Sequence, residues 1–234
     1  MPLRQAPVTF GMMAVTGGVF LLQLLGEAAL GYDVVLALGA KANELILAGQ
    51  IWRLVTPVFI HAGIAHIFVN MYSLFALGPP VERFFGTARM LAVYLLSGIS
   101  GVVFSLAFNP YPSVGASGAI FGLLGALSMF LYLNRGLFGP RGGMQLRQLL
   151  LVGALNLLIS LSPGIDLWGH VGGLVAGAGC TALFGPRLIP VSTDGLVTTY
   201  TDRRPWPEVA PRVVLAVVAV GASALAAMFL AAQL

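Results

Sequence analysis

Long apolar stretches alternate with short polar connections along the chain, and the lengths of these stretches carry the first structural information. A helix needs about 20 predominantly apolar residues to cross the hydrocarbon core of a bilayer. Seven stretches approach that length, at Phe10–Leu30, Ile60–Leu77, Ala88–Phe108, Gly115–Leu133, Gln145–Leu161, Leu167–Phe184 and Val209–Leu234. None has the sustained period-two alternation of a membrane barrel strand. The pattern predicts an all-α membrane protein, a polytopic helical bundle.

The connections between these stretches predict a single membrane domain over residues 1–234. We expect a core from about 10 to 185, a linker at 186–208 and a separate last helix at 209–234. The linker is rich in Pro, Thr, Asp and Arg and is interpreted as an ordinary connection. The long loop Gly31–Pro57 is too polar to span a bilayer and too apolar to extend into water, so we expect it at the membrane interface.

The first apolar stretch has a second interpretation, as a cleaved signal peptide. Arg4 precedes the stretch, and it contains the small residues of the segment EAALG. Secretory signal peptides have apolar cores of about 7–15 residues. The first stretch is longer than that, so a retained first helix is favoured.

The composition excludes a protein whose whole surface faces water. Only 9% of the 234 residues are charged and 58% are hydrophobic, whereas a soluble domain has about 25% charged residues. The net charge of +4 does not indicate nucleic-acid binding, because the basic residues are scattered between apolar stretches. The single cysteine, Cys180, excludes an intrachain disulfide, and the sequence has no metal-binding pattern.

The basic residues are distributed unevenly between alternate connections, which predicts the orientation in the membrane. If the N-terminus is cytoplasmic, the outer connections contain only Lys41 and Arg53. The remaining basic residues fall on the cytoplasmic side and are Arg4, Arg83, Arg89, Arg135, Arg141, Arg147, Arg187, Arg203, Arg204 and Arg212. We therefore expect a multi-pass protein whose second, fourth and sixth helices begin at the outer face. Its expected location is a bacterial inner membrane.

Four polar side chains lie close to the outer ends of these three helices. His66 and Asn70 are four residues apart on the second helix and therefore share a face. Ser117 opens the fourth helix and His170 opens the sixth. Polar residues inside membrane segments usually face the bundle interior and often mark a functional site. We expect these four residues at a similar shallow depth, where water can reach a reaction.

Glycines at a spacing of four predict a close approach of the fourth and sixth helices. The two ridges are Gly118 and Gly122 on the fourth helix and Gly169, Gly173 and Gly177 on the sixth. Small residues at this spacing let helix backbones come close together. If the ridges pack, the Ser117 hydroxyl and the His170 imidazole come near hydrogen-bond distance.

Each of these features also has an ordinary structural explanation when it is taken alone. A serine in a membrane helix commonly bonds the carbonyl of the preceding turn, and a lone histidine or asparagine commonly bonds a neighbouring helix. A glycine ridge alone indicates only tight packing. Independent segments place these polar residues on the same side of the membrane and at a similar depth. This agreement favours a functional site.

Together the motifs resemble those of rhomboid intramembrane serine proteases. They lie in the family's order and are WR at Trp52–Arg53, HAGIAHIFVN with His61, His66 and Asn70, ERFFG at Glu82–Gly86, GASG at Gly115–Gly118, and GHVGGLVAG at Gly169–Gly177. GASG alone is a weak signal, but the five segments in order are specific. The last helix resembles the extra helix found in part of the family, which implies a rhomboid-like bundle of six core helices plus one C-terminal helix.

The resemblance implies a serine endopeptidase that hydrolyses peptide bonds in or near the transmembrane helices of other membrane proteins. Ser117 is then the nucleophile and His170 the general base, in a dyad. The implied oxyanion-binding groups are His66, Asn70 and the backbone N–H of Ser117. The implied partners are transmembrane protein substrates and the lipid bilayer, and neither a metal nor an organic cofactor is required. The sequence leaves the oligomeric state open.

The resemblance also guides the interpretation of several other residues. Some relatives carry a tyrosine one turn after the nucleophile, stacked on the catalytic histidine, and here that position is Phe121. A phenyl ring can still pack on the imidazole, although it has no hydroxyl. Asp166 is assigned no role. Glu82 and Arg83 are expected to anchor the turn after the second helix, and Arg53 the interfacial loop.

Two other classes of function are alternatives to the protease. A catalytically silent relative that binds membrane helices typically lacks the serine or the histidine, and this chain has both. A seven-helix retinal receptor needs a lysine within a helix, and the sole lysine, Lys41, lies in the long loop. A coupled transporter usually has repeated halves or carboxylates inside the membrane, and the sequence shows neither.

Overall fold

The computed structural model describes residues 6–193 and 196–233, so Arg4 and Leu234, which entered the predicted topology, lie outside the described residues. In chain order the elements are α1 (Pro7–Leu30), α2 (Val34–Gly39), α3 (Asn43–Leu47), α4 (Ile64–Phe85), α5 (Thr87–Phe108), α6 (Ser117–Leu133), α7 (Arg135–Ile159), α8 (Leu167–Phe184), β1 (Leu188–Thr193), β2 (Leu196–Asp202) and α9 (Trp206–Ala231). Among the described residues, six helices are long and apolar enough to cross a membrane, and α6 is a shorter apolar helix. The predicted fold class, an all-α membrane bundle, is confirmed.

Helices α5, α6 and α8 form the centre of the bundle, and glycines set the separation of α6 and α8. A Cβ added at Gly173 of α8 would overlap the carbonyl oxygen of Gly118 of α6. A Cβ at Gly177 would likewise overlap the carbonyl oxygen of Gly122. The two backbones are therefore in direct contact, and the predicted packing of the glycine ridges is confirmed.

Helix α4 extends beyond the C-terminal end of the predicted second helix, which was expected to end at Leu77. It passes through Pro79 and Pro80 and ends at Phe85. Gly78 lies against α1, since a Cβ at that position would come within 2.7 Å of Oγ1 of Thr9. Contact between the two helices stabilises α4 where local helix propensity would end it.

Glu82, near the end of α4, is buried and binds the start of α1. Its carboxylate accepts hydrogen bonds from the backbone N–H of Val8 (2.8 Å), from that of Thr9 (2.9 Å) and from the Thr9 hydroxyl (2.8 Å). Backbone N–H groups in the first turn of a helix have no acceptor within the helix. The predicted anchoring of the turn after α4 is thus corrected, because Glu82 anchors α1 and Arg83 is exposed.

Helix α7 begins well before its predicted start. It starts at Arg135 and is kinked at Gly139, where φ is 54° and ψ is −147°. Glycine adopts this conformation without steric cost, which separates a short first segment from the long apolar one. Along the helix only Gly142 and Gly153 are fully buried, so most of the α7 surface faces outward.

The predicted plain linker contains an antiparallel hairpin of β1 and β2. Arg89 at the start of α5 forms an ion pair with Asp202 and donates to the carbonyl oxygen of Arg204 (2.7 Å). The guanidinium of Arg204 donates in turn to the carbonyl oxygens of Leu183 (3.2 Å) and Gly185 (3.0 Å). The hairpin therefore docks on the ends of α5 and α8, through contacts between distant residues that no local sequence pattern reveals.

The long loop before α4 lies against the segment that leads into α6. Lys41 is fully buried, and its ammonium donates to the carbonyl oxygens of Asn109 and Tyr111. Burial lowers the pKa of Lys41 to about 8. The backbones of Lys41 and Ser113 also exchange hydrogen bonds in both directions, at 3.0 and 3.2 Å. These contacts fix the approach to the first residue of α6.

Arg53 and Trp52 hold the short helices of this loop together. The Arg53 guanidinium donates to the carbonyl oxygens of Ala37 (2.8 Å) and Ala40 (2.6 Å). The indole N–H of Trp52 donates to the carbonyl oxygen of Leu38 (3.0 Å), while about half of the Trp52 surface is exposed. The predicted role of Arg53 as an anchor of the loop is confirmed by these contacts.

Candidate active site

Ser117 is the first residue of α6 and follows a segment that cannot accommodate larger side chains. Gly115 has a φ of 129°, which disfavours residues with a Cβ. A Cβ there would also lie 2.8 Å from Nε2 of His66. Nε2 of the buried His61 accepts a hydrogen bond from the backbone N–H of Ala116 (3.4 Å). The position of Ser117 is therefore set by the residues immediately before it.

Ser117 and His170 are brought together from different helices. The distance between Oγ of Ser117 and Nε2 of His170 is 2.7 Å. Phe121 stacks on the His170 imidazole, with 4.4 Å between the ring centroids and 16° between the ring planes. The expected packing of phenyl ring on imidazole is confirmed, and it restricts rotation of the histidine ring.

The other ring nitrogen of His170 meets a residue that no sequence pattern marks. Nδ1 of His170 lies 2.7 Å from Oγ of Ser160, which directly follows the last residue of α7 and is 3% exposed. The Ser160 hydroxyl also bonds the carbonyl oxygen of Asn156 (2.6 Å). Asp166 instead caps α8 by accepting a hydrogen bond from the backbone N–H of Gly169 (3.0 Å).

His66 and Asn70 of α4 line the same cavity as Ser117 and His170. Nδ1 of His66 accepts a hydrogen bond from the backbone N–H of Ala62 (3.4 Å), so a neutral ring carries its hydrogen on Nε2. The side-chain amide of Asn70 donates one hydrogen to the carbonyl oxygen of His66 (2.9 Å) and retains a second. Within the described residues, the backbone N–H of Ser117 has no acceptor. Three hydrogen-bond donors therefore belong to residues that line the cavity together with the Ser117 hydroxyl.

The cavity has a volume of about 980 Å³ and is lined by residues of α4, α6, α7 and α8. Val69 of α4 and Val152 and Ile159 of α7 belong to its wall and are exposed. The cavity is therefore accessible between α4 and α7. Its volume is at the upper end of the range for pockets that bind organic ligands, about 300–1,000 Å³.

Acidification is expected to destabilise the protein through His61. This residue is 1% exposed, and burial together with the nearby His66 lowers the pKa of His61 from 6.5 to about 4. A protonated ring could not accept the hydrogen bond from Ala116. The unfolded chain takes up this proton near pH 6.5 and the folded chain only near pH 4, so stability is lost as the pH falls through that window. Thermal unfolding in detergent should show a Tm that decreases over the same window.

The control is His61→Gln, because the glutamine side-chain oxygen can accept a hydrogen bond but does not titrate. Its Tm should decrease less steeply between pH 6.5 and pH 4 than that of the wild type. The same slope in both proteins would contradict the assignment to His61.

Comparison with known proteins gives a family relation for this region. Residues 48–187 match the family described as Rhomboid domain. The chain is 42% identical over 166 residues to Rhomboid protease GluP of Bacillus subtilis, in an alignment that covers 71% of this chain and 32% of that protein. It is 37% identical over 140 residues to RHOMBOID-like protein 9, chloroplastic, of Arabidopsis thaliana, covering 59% of this chain and 32% of the relative. For RHOMBOID-like protein 5 of the same plant the identity is 38% over 143 residues, covering 60% and 46%. The chain thus spans from about a third to just under half of the length of these relatives. The family match includes every candidate residue described above.

Proposed function

Because the chain belongs to the rhomboid family, we propose that it is an intramembrane serine endopeptidase with Ser117 as nucleophile and His170 as general base. The observation that carries this proposal is the distance of 2.7 Å between Oγ of Ser117 and Nε2 of His170, at a cavity that opens between two helices. A serine hydroxyl attacks a carbonyl poorly unless a base takes its proton, and neutral imidazole is suited to that task near pH 7. The name of the relative GluP, a rhomboid protease, supports the reaction class.

In the proposed reaction, Oγ of Ser117 attacks the scissile carbonyl carbon while its proton passes to Nε2 of His170. The tetrahedral intermediate collapses, the C–N bond breaks, and the same proton leaves with the amine. Water then attacks the acyl-enzyme with His170 again as the base, which releases the carboxylic acid and restores the Ser117 hydroxyl. Every proton that His170 takes up during the cycle is released again, so the proposed reaction requires neither a metal nor an organic cofactor.

The oxyanion of the intermediate is proposed to bind three donors from residues that line the same cavity as the Ser117 hydroxyl. They are Nε2–H of His66, the second amide hydrogen of Asn70 and the backbone N–H of Ser117. An N–H at the start of a helix lacks an acceptor within the helix and is free to bind an anion. Donors that are already in position need no reorganisation as charge develops.

Removing one side-chain donor should slow the reaction without abolishing it. We expect His66→Ala and Asn70→Ala each to lower kcat by about 10²–10³-fold, the usual loss for one oxyanion donor. The measurement is the initial rate of cleavage of a transmembrane substrate in vesicles. Phe68→Ala is the matched control, because Phe68 lies on the same helix and is 71% exposed. Wild-type turnover in both donor variants would remove His66 and Asn70 from the oxyanion site.

The proposed substrate is a transmembrane helix of another protein that approaches between α4 and α7. Backbone carbonyls in a helix are engaged in hydrogen bonds, so small or helix-breaking residues near the scissile bond should favour cleavage. From the distribution of arginines we propose that the end of the bundle with Ser117 faces away from the cytoplasm. The proposed location is the inner membrane of a bacterial cell.

The proposal is tested with the purified full chain, reconstituted in vesicles with a labelled single-span membrane protein. We expect cleavage at one peptide bond near the membrane surface, identified by mass spectrometry of the products. A fluorophosphonate probe should form a covalent adduct on Ser117. Absence of both cleavage and adduct would overturn the protease function and would favour a catalytically silent protein that binds membrane helices.

A further inference from the structure

We propose that Ser160 is a positioning residue that holds His170 in the protonation state a general base requires, an inference that rests on the proposed function. Oγ of Ser160 lies 2.7 Å from Nδ1 of His170, whereas Ser117 bonds the other ring nitrogen. Ser160 is 3% exposed and belongs to the end of α7, while His170 is in the first turn of α8. The contact therefore connects two helices through the imidazole ring.

The direction of this hydrogen bond follows from a second contact of Ser160. Its Oγ lies 2.6 Å from the carbonyl oxygen of Asn156. A carbonyl oxygen can only accept, so the single hydroxyl hydrogen of Ser160 is used in that bond. Oγ of Ser160 must then accept from Nδ1 of His170. The neutral ring consequently carries its hydrogen on Nδ1 and presents a free lone pair on Nε2 to Ser117.

This tautomer is the one that can take a proton from Ser117. A ring with its hydrogen on Nε2 would donate to Ser117 and could not act as the base. When Nε2 accepts the proton, the ring becomes a cation and Nδ1–H still donates to Ser160. Only one proton moves, from Ser117 to Nε2 and then to the leaving amine, and none passes to Ser160.

The bond from Ser160 to Asn156 also makes Ser160 a better acceptor. A hydroxyl whose own hydrogen is bonded to a carbonyl is polarised, which strengthens the hydrogen bond that its oxygen accepts. Nδ1–H of the cationic His170 thus bonds a neutral hydroxyl, and no carboxylate among the described residues bonds this nitrogen directly. The carboxylate of Asp166 is engaged with the backbone N–H of Gly169 at the start of α8.

No other group in the described residues takes the place of Ser160. Phe121 stacks on the face of the ring and has no hydrogen-bonding atom in its side chain. Within residues 6–193 and 196–233, Ser160 is the only hydrogen-bond partner of Nδ1 of His170. The ring is thus held from its face by Phe121 and at its two nitrogens by Ser117 and Ser160.

The protonation state of His170 can be measured directly, in protein labelled with ¹⁵N-histidine and without substrate. The chain has three histidines, and His170→Ala assigns the signals of His170. We expect the hydrogen on Nδ1 in the wild type and a population with the hydrogen on Nε2 in Ser160→Ala. A wild-type ring with its hydrogen on Nε2 would overturn the proposal, whether or not Ser160→Ala folds.

Kinetics separate positioning from a general effect on the fold. Ser160→Ala should lower kcat by about 10- to 100-fold with KM within about twofold, because substrate binding does not use the tautomer. In a soluble serine protease whose catalytic histidine is oriented by an aspartate, the wrong tautomer lowers kcat by roughly 10⁴-fold. The loss of kcat expected for Ser160→Ala is smaller than that. Ser160→Thr keeps the hydroxyl and should restore most of the rate.

Ser223→Ala is the matched control. Ser223 makes the same kind of bond, to the carbonyl oxygen of Ala219 (2.8 Å), but lies on α9 away from the cavity. Removal of the Ser223 hydroxyl should leave kcat unchanged.

The outcomes separate this inference from the function on which it rests. An unchanged tautomer in Ser160→Ala, with kcat within twofold of the wild type, would overturn the positioning role. A tautomer that depends on Ser160 in a wild-type protein that cleaves no peptide bond would support the positioning role and contradict the protease function.

Discussion

Replacing Ser117 with alanine is expected to abolish peptide-bond cleavage, and replacing His170 with alanine should have the same effect. Without the hydroxyl no acyl-enzyme can form, and without the imidazole nothing near Oγ can take its proton. Loss of either group in a soluble serine protease costs on the order of 10⁶-fold in kcat. We therefore expect both variants to fall below detection when products of a labelled transmembrane substrate are quantified by mass spectrometry.

Both variants should remain folded. Ser117→Ala loses one partly buried hydrogen bond, worth about 1 kcal/mol, and His170→Ala loses two such bonds, to Ser117 and Ser160, together with the stack on Phe121. The double variant should be no less active than either single variant, since the two groups are proposed to act as a unit. Thermal unfolding in detergent measures whether both single variants remain folded. Cleavage by Ser117→Ala at more than about a thousandth of the wild-type rate would contradict the assignment of the nucleophile.

The second large effect is on the fold, and it concerns Gly173. A Cβ at this position would overlap the carbonyl oxygen of Gly118, a backbone atom that cannot move aside by a change of rotamer. In Gly173→Ala the helices α6 and α8 must separate, which weakens their packing and draws Ser117 away from His170. Overpacking typically costs about 1–3 kcal/mol. We expect a free-energy loss at or above the upper end of that range, together with loss of activity.

The same helix offers a matched control for this variant. A Cβ added at Gly179 would meet no atom within 4 Å. Gly179→Ala should therefore be neutral or stabilising by up to about 1 kcal/mol, the helix propensity difference between glycine and alanine. Unfolding of both variants in detergent makes the comparison. A similar Tm for the two would contradict the close contact of the glycine ridges.

The helices and the four polar candidates could be predicted from the sequence because both signals are local. An apolar stretch of about 20 residues indicates a membrane helix by itself. His66, Asn70, Ser117 and His170 stand out because each interrupts or opens such a stretch. Their expected proximity needed one more signal, the glycine spacing, which also acts over a few residues.

Features that depend on distant contacts could not be predicted. Ser160 looks like any serine at the end of a helix until the position of His170 across the following loop is known. The partner of Glu82 is the first turn of α1, more than 70 positions away in the chain. The continuation of α4 through Pro79 and Pro80 likewise depends on contact with α1 and runs against local propensity.

Helix α8, which carries His170, has groups of opposite charge at its two ends. Asp166 binds the first turn, and the guanidinium groups of Arg204 and Arg212 donate to the carbonyl oxygens of Gly185 (3.0 Å) and Leu183 (3.3 Å) at the other end. This arrangement opposes the helix macrodipole and stabilises the helix. Both arginines lie beyond residue 187, where the family match ends. A truncation that removed the hairpin and α9 would keep every motif residue. It would nevertheless remove the two arginines that stabilise the C-terminal end of α8, the helix that carries the His170 imidazole.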